Sequence, residues 1–503
     1  MPIKEFRLHE YAIMALLVLP WMNPFATGPS PNVFPWLISA LCGVVLLLLR
    51  RKLDIDLIAR GWAIAAVLSA AVALVQYFGL AHAIAPWVSQ ANVGEAFANL
   101  RQRNQFATLT SMGLVALIGL CAQRSGPADA LWTTRLAILM LAFGNAASGS
   151  RTGLLQWILL LGLYAWWSAP GRRLAMGLAF QAVTLYLVAV FALPRLLEIA
   201  TGMTTDGLLG RLAERPTCGS RKVLWDNVLT LIAQKPWAGW GWGELDYAHF
   251  LTLYEGPRFC EILDNAHNLP LQLAVELGIP AALCAGVGVG CLLWRERPWN
   301  EAAPGRQMAW GVLAVIMLHS MLEYPLWYGP FQLALGLCIW LLWASPAGRK
   351  ASERVALQAG LLLRSLSSVL SVTAVAVLIY AGIDYHRVSQ IYLPQPERSL
   401  LYRDDTLSKI RDTWLFRQQV AFAELSITPL RPDNAAAMHD LAKALLHYSP
   451  EPRVVEKLIE SAVILGWKDE ALYYSTRYRA AFPEEYARWA GSHGLSSANA
   501  LLQ

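Results

Sequence analysis

Charge is scarce in this sequence. Of its 503 residues only 15% are Asp, Glu, Lys or Arg, against roughly 25% in an ordinary soluble domain, and 56% are hydrophobic. No soluble fold of this length has enough interior to hide that much apolar surface, so the soluble globular classes are excluded. Zinc-type Cys/His spacing, a Gly-Lys-Ser phosphate loop and a dinucleotide glycine motif are also missing. No metal site and no cofactor are therefore expected. The one Asp-x-Asp, Asp54-Ile55-Asp56, stands beside Arg51 and Lys52 and reads as a solvated helix start. A net charge of +6 is modest, so the placement of the charges says more than their sum, and no nucleic-acid partner is expected.

What is present is a succession of uncharged apolar runs near the ~20 residues that cross a bilayer. They fall near 9–24, 32–49, 57–80, 105–122, 131–146, 153–168, 174–193, 266–294, 308–323, 328–344 and 362–383. The expected class is all-α, a polytopic transmembrane bundle of about eleven spans. The first run continues into Pro24 without a small-residue cleavage site and is expected to be retained. With the N-terminus inside, Arg50, Arg51, Lys52 and Arg60 fall on the cytoplasmic side. So do Arg124 and Arg135, Arg172 and Arg173, Arg295, Arg297 and Arg306, and Arg349, Lys350 and Arg354, as the positive-inside bias requires. The expected organisation is seven spans over 1–193, a large outer loop over 194–265, four more spans over 266–383 and an outer helical domain over 384–503. That last segment is rich in charge, carries helical apolar spacing (Leu441, Leu445, Tyr448; Val454, Leu458, Val463) and is cut by prolines into short helices. It suits either a repeat-like array or a structural lid.

Five cysteines, Cys42, Cys121, Cys284, Cys291 and Cys338, lie in expected spans as small apolar residues. Cys218 and Cys260 lie in the outer loop, where an oxidising compartment would let them pair.

Basic residues on the outer side run against the orientation bias and need a reason. Arg101 and Arg103 occur in Asn99-Leu100-Arg101-Gln102-Arg103-Asn104-Gln105 at the mouth of a span. Arg151 lies in Ser148-Gly149-Ser150-Arg151-Thr152-Gly153, and Arg211, Arg215, Arg221 and Arg258 lie in the large loop. Guanidinium forks suit phosphate oxygens, which points to a diphosphate site; lipid head-group anchoring is the alternative. His267, within Asp264-Asn265-Ala266-His267-Asn268-Leu269-Pro270, is a candidate general base, with a helix cap as the alternative. His319 and Glu323 would share a helix face, so that the carboxylate could orient the imidazole; Tyr324 and Tyr328 beside them suit either a ligand or an interfacial belt.

Several of these blocks resemble the O-antigen ligase and polymerase superfamily. Arg221-x-x-x-Trp225 followed by Lys235-Pro236-Trp237-Ala238-Gly239-Trp240-Gly241-Trp242-Gly243 is similar to its loop entry. The run from Asn265 to Gly278 resembles the histidine motif of its protein-glycosylating branch, the bacterial O-linked protein oligosaccharyltransferases. Glu323-Tyr324-Pro325-Leu326-Trp327-Tyr328, Asn99-Leu100-Arg101-Gln102-x-Asn104-Gln105 and Asp384-Tyr385-x-Arg387-Val388-Ser389-Gln390 are similar to further blocks of that branch. The resemblance implies a GT-C-like bundle in a bacterial inner membrane. It implies metal-independent, periplasmic, en bloc transfer of a glycan from undecaprenyl diphosphate to Ser or Thr of proteins such as pilins. By position it makes His267 the essential histidine and Arg101, Arg103, Arg151 and Arg221 the diphosphate contacts. Asn265, Asn268, Gln105, Glu323, Tyr324, Tyr328 and His319 become substrate contacts. The departure from pattern is Arg103, where a small residue or proline is expected, so the phosphate-facing arginine is open between Arg101 and Arg103. The competing functions are an O-antigen ligase acting on a lipid A-core sugar, a chain-extending polymerase and, from another class, a multi-pass lipid or sugar transporter.

Overall fold

The structure is a computed structural model describing residues 8–26, 28–50, 52–123, 128–168, 171–205, 207–208, 210, 217–343 and 355–492. Arg51, Arg124, Arg349, Lys350 and Arg354, on which part of the orientation rests, lie outside the described residues, as do Arg211 and Arg215. Among the described residues the fold is all helical. The helices run α1 Leu8–Met22, α2 Val33–Leu48, α3 Ile55–Tyr77, α4 Arg103–Gln123, α5 Ala128–Ala147, α6 Arg151–Trp166, α7 Arg172–Thr201, α8 Arg221–Gln234, α9 Leu245–Leu251, α10 Leu269–Leu277, α11 Ile279–Glu296, α12 Pro304–Ser320, α13 Gly329–Trp343, α14 Val355–Ser389, α15 Thr406–Ile410, α16 Arg417–Ile427, α17 Ala435–Leu445, α18 Pro452–Ile464, α19 Lys468–Ala481 and α20 Pro483–Ser492. Five of them, α3, α4, α7, α11 and α14, are long and apolar enough to cross a membrane; α1, α2, α5 and α13 are shorter apolar helices.

The chain divides into two compact units, residues 1–214 with 293–382, and residues 215–292 with 383–503. In the first, α3 and α4 form the centre, packed by α1, α5, α6, α7 and α12, with α2 and α13 paired at the side. Small residues let the central helices close in: a Cβ on Gly113 would lie 2.3 Å from that of Ala66, and one on Gly144 2.7 Å from that of Ala70. Apolar lipid gives helices no hydrophobic reason to associate, so close van der Waals packing through small residues supplies it. Asp54, half of the lone Asp-x-Asp, is the N-cap of α3: its Oδ1 accepts from the Leu57 amide at 2.7 Å.

In the second unit the large loop and the tail build one body. Phe250 of α9 is buried with Phe422, Leu425, Leu445, Leu458 and Tyr478 of the tail helices. Arg477 Nε donates to the Leu251 carbonyl at 2.9 Å, and Glu244 Oε2 meets His447 Nδ1 at 2.7 Å. Two hydrophilic segments separated by more than a hundred residues thus share a core, which requires them to share a compartment. A disulfide joins Cys218 to Cys260, with Cα atoms 5.5 Å apart.

The apolar run expected as one span over 266–294 is divided. Gly278, at φ +88°, ends α10, and α11 begins at Ile279 with none of its residues buried. Glycine past a helix end and proline at the second position of the next helix form the usual stop and start pair, so the membrane-length element is α11 alone.

Candidate functional site

In the first unit the loop from Gly79 to Gln102 is braced by two amides. Gln76 Nε2 donates to the carbonyls of Ser89 and Ala98 at 2.7 and 2.8 Å, and its Oε1 accepts from the Phe97 and Ala98 amides at 3.1 and 2.7 Å. Asn99 Nδ2 donates to Met22 and Trp87 carbonyls at 2.8 and 3.0 Å, and its Oδ1 accepts from the Ser89 amide at 3.0 Å. The turn so fixed puts Arg101 in the left-handed region at φ +60°, exposed, with Nη2 donating to the Pro24 carbonyl. Arg103, at the start of α4, is instead ion-paired to Glu95. Gln102 Oε1 accepts from the Gln105 amide at 2.6 Å, and Gln105 itself is buried.

Below this mouth lies a buried polar network that sequence reasoning missed. Thr108 Oγ1 meets His319 Nδ1 at 2.9 Å; Gln156 Nε2 donates to Thr108 Oγ1 at 2.8 Å and to the Val315 carbonyl at 3.0 Å; Ser111 Oγ donates to Gln156 Oε1 at 2.9 Å. Asn104 bridges outward, its Nδ2 donating to Glu323 Oε1 at 3.1 Å and its Oδ1 accepting from Ser150 Oγ at 2.6 Å. Ser150 Oγ also caps α6 through the Gly153 amide at 3.1 Å, setting Arg151 exposed at the helix start. α12 stops at Ser320, so Glu323 lies beyond it and approaches His319 through the backbone, its amide donating to the His319 carbonyl at 2.8 Å. Tyr324 and Tyr328 stack with ring centroids 5.8 Å apart. The signal for Thr108 and Gln156 was present: polar side chains inside apolar runs are costly and face partners.

In the second unit the histidine turn is built by its neighbours. Asn265 Oδ1 accepts from the His267 amide at 2.9 Å, the Ala266 amide donates to Gln272 Oε1 at 2.6 Å, and Trp225 Nε1 of α8 donates to the Ala266 carbonyl at 3.1 Å. Asn268 is the N-cap of α10, accepting from the Leu271 amide at 3.1 Å. Both amides assigned to substrate therefore hold backbone, and His267 projects from a left-handed residue at φ +51°, half-buried. Arg221 opens α8, whose Trp225 makes that bond.

The glycine-rich segment clasps the far end of α10. The Trp240 amide donates to the Val275 carbonyl at 2.8 Å, the Gly241 amide to that of Glu276 at 3.0 Å, and the Gly243 amide to Glu276 Oε1 at 2.9 Å. Ile279 closes the clasp, its amide donating to the Pro236 carbonyl at 2.8 Å. Arg258 is structural, donating to the carbonyls of Thr252 at 2.9 Å and His249 at 2.8 Å. Burial and the neighbouring Arg258 charge hold His249 neutral, pushing it down to about 3. Asp246, buried on α9, has its carboxyl pushed up to about 7 by burial, against the pull of the Tyr247 amide and with the Asp264 and Glu244 charges adding to the rise. Among the described residues no three His, Cys, Asp or Glu side chains are grouped as metal ligands would be.

Three family models match the chain in succession: protein glycosylation ligase over residues 96–118, O-antigen ligase over 136–286, and the C-terminal part of a membrane-bound polymerase described as a virulence factor over 307–494. The chain is thus similar, in separate segments, to O-antigen ligases and to protein glycosylation ligases. The first match covers the braced turn of Arg101 and the start of α4, and the second takes in the clasp and the histidine turn. Two curated relatives come from Acinetobacter baylyi. A general O-oligosaccharyltransferase is 26% identical over 295 residues, 57% of this chain and 50% of the relative. A ComP-specific O-oligosaccharyltransferase is 27% identical over 247 residues, 49% of this chain and 43% of the relative. The chain thus spans about half the length of the curated relatives it matches.

Proposed function

We propose that this chain is a glycosyltransferase of the bacterial inner membrane, an O-linked oligosaccharyltransferase that moves a preassembled glycan en bloc from undecaprenyl diphosphate to a Ser or Thr hydroxyl of a periplasmic or secreted protein such as a pilin. In this reading about eleven spans, within 1–193 and 279–383 of the sequence, place the segments 194–278 and 384–503 in the periplasm. The acceptor oxygen forms a bond to the anomeric carbon while the bond from that carbon to the phosphate oxygen breaks. The acceptor proton passes to the His267 imidazole, and the electron pair leaves on the diphosphate. Arg101, Arg151 and Arg221 stabilise the leaving charge. Arg103 already answers Glu95, which favours exposed Arg101 as the phosphate contact of that pair. The stacked Tyr324 and Tyr328 offer a flat face to a sugar ring, with Asn104 and Glu323 beside them holding hydroxyls.

The observation that carries this reading is the coincidence of the protein glycosylation ligase match, residues 96–118, with the turn that presents Arg101. It is tested by reconstituting the purified protein with an undecaprenyl-diphosphate oligosaccharide and a pilin-like acceptor, with and without chelator. Glycosylated acceptor in both arms is the expected result. The O-antigen ligase match over 136–286 favours a second reading, transfer to lipid A-core. Deletion that strips glycan from lipopolysaccharide and leaves glycoproteins intact would select it.

A further inference from the structure

α2 and α13 of the first unit diverge to leave a groove of about 310 Å³. At one end they touch: a Cβ on Gly329 would lie 2.7 Å from that of Ser39, and Trp36 Nε1 donates to Gln332 Oε1 at 2.8 Å, closing the groove. One turn along, a Cβ on Gly43 would lie 3.3 Å from Leu333 Cδ1. Further on, a Cβ on Gly336 would meet nothing within 4 Å. The groove is thus a wedge with apolar walls, shut by an indole–amide bond at its narrow end and lined by Arg50 at its wide end. The narrow end belongs to the side carrying Arg101, since the last residue of α1 and the loop that leads from it to α2 receive the bonds from Asn99 and Arg101. Arg50 closes the opposite end of α2, with Lys52 following it.

We propose that this wedge is a binding site for one anionic phospholipid, with an acyl chain lying between α2 and α13 and the phosphate at Arg50. An apolar slot accepts a hydrocarbon chain, and a cation between helix ends on the basic side of a bundle selects a negative head group. A second copy of the chain would need an apolar ridge and would gain nothing from the guanidinium. The polyprenyl donor is disfavoured because its diphosphate would sit at the end opposite to Arg101. The proposal rests on α2 and α13 being membrane-embedded, not on the transferase reading.

The test is native mass spectrometry of the full chain, delipidated in detergent and offered equal phosphatidylglycerol and phosphatidylethanolamine, with undecaprenyl phosphate in a separate arm. Wild type should keep one phosphatidylglycerol under activation that strips other lipids. Arg50→Gln should cut its head-group preference about fivefold, the effect of one basic residue near a membrane surface. Gly336→Leu, which fills open space, should abolish retention while thermal melting stays unchanged, showing that the variant folds. Equal retention by wild type and Gly336→Leu overturns the proposal, as does displacement of the phospholipid by undecaprenyl phosphate. A chain that stays monodisperse in buffer without detergent would instead overturn the membrane reading beneath it.

Discussion

A histidine at φ +51° sits where a residue with a Cβ is strained by about 1–2 kcal/mol, and the turn around His267 holds it there. Asn265 accepts from its amide, Trp225 and Gln272 fix Ala266, and Asn268 begins the next helix. His267→Ala should abolish transfer while membrane insertion persists, checked by acceptor mass shift beside membrane fractionation; full turnover removes the imidazole from the mechanism. Asn265→Ala should cost up to about 10²-fold in kcat, because misplacing a reacting group by an ångström has that scale. Asn265→Asp, which keeps the accepting oxygen, should restore most of it. Recovery by Asp and not by Ala separates positioning from loss of a sugar contact.

Asp246 gives a residue-scale pH dependence. Its carboxyl is raised to about 7 in the fold, so the fold favours the proton. The stability this contributes is fully present below the ordinary carboxylate range and is lost as pH rises through about 7. Asp246→Asn should therefore gain on wild type as pH rises from 4 and melt several degrees above it at pH 8.5. A difference that does not grow with pH would mean the carboxyl is not held protonated.

At the scale of elements, the clasp on α10 explains the glycine at position 239 of the loop entry. Gly239, at φ +68°, passes so close to α10 that an added Cβ would lie 2.3 Å from the Glu276 carbonyl, and one on Gly278 would lie 2.2 Å from that of Trp237. Gly243, at φ +79°, has open space instead. Gly239→Ala should cost at least about 3 kcal/mol from conformation and collision together, and Gly243→Ala about 1–2 from conformation alone. Paired thermal melts check the ranking; equal losses would mean the close approach relaxes freely.

The elements were largely legible because apolar length is a local property. The break at Gly278 was legible too, in Gly278-Ile279-Pro280, but apolarity continues through it and a hydropathy reading runs the two helices together. The candidate site was legible only as residue types. That Arg103 is taken by Glu95, that Asn265 and Asn268 hold backbone, and that His319 meets Thr108 all depend on neighbours distant in sequence or on side-chain direction. Hydropathy averaging concealed Thr108 and Gln156, whose polarity is diluted by the leucines and alanines around them.

At the scale of the molecule, the joining of the large loop to the tail could not be read from order along the chain, since nothing in either segment names the other. Its keystone is Phe250, on the short α9 of the loop yet 2% exposed among tail side chains from α16 to α19. Tyr247 supports it, its ring 3.9 Å from that of His447. The clasp and histidine turn rest on the same loop through a neighbouring core, in which Leu245 and Ala248 of α9 pack with Val228 and Leu231 of α8 and Val275 of α10. A tail without a catalytic residue would then still govern activity by steadying α9. Phe250→Ala removes a buried aromatic and should cost about 3–5 kcal/mol. Hydrogen exchange should accelerate together in α9 and in α18, and turnover should fall although every candidate catalytic group is intact. Faster exchange confined to the tail, with α9 and activity unchanged, would show the two segments to be neighbours without mechanical coupling.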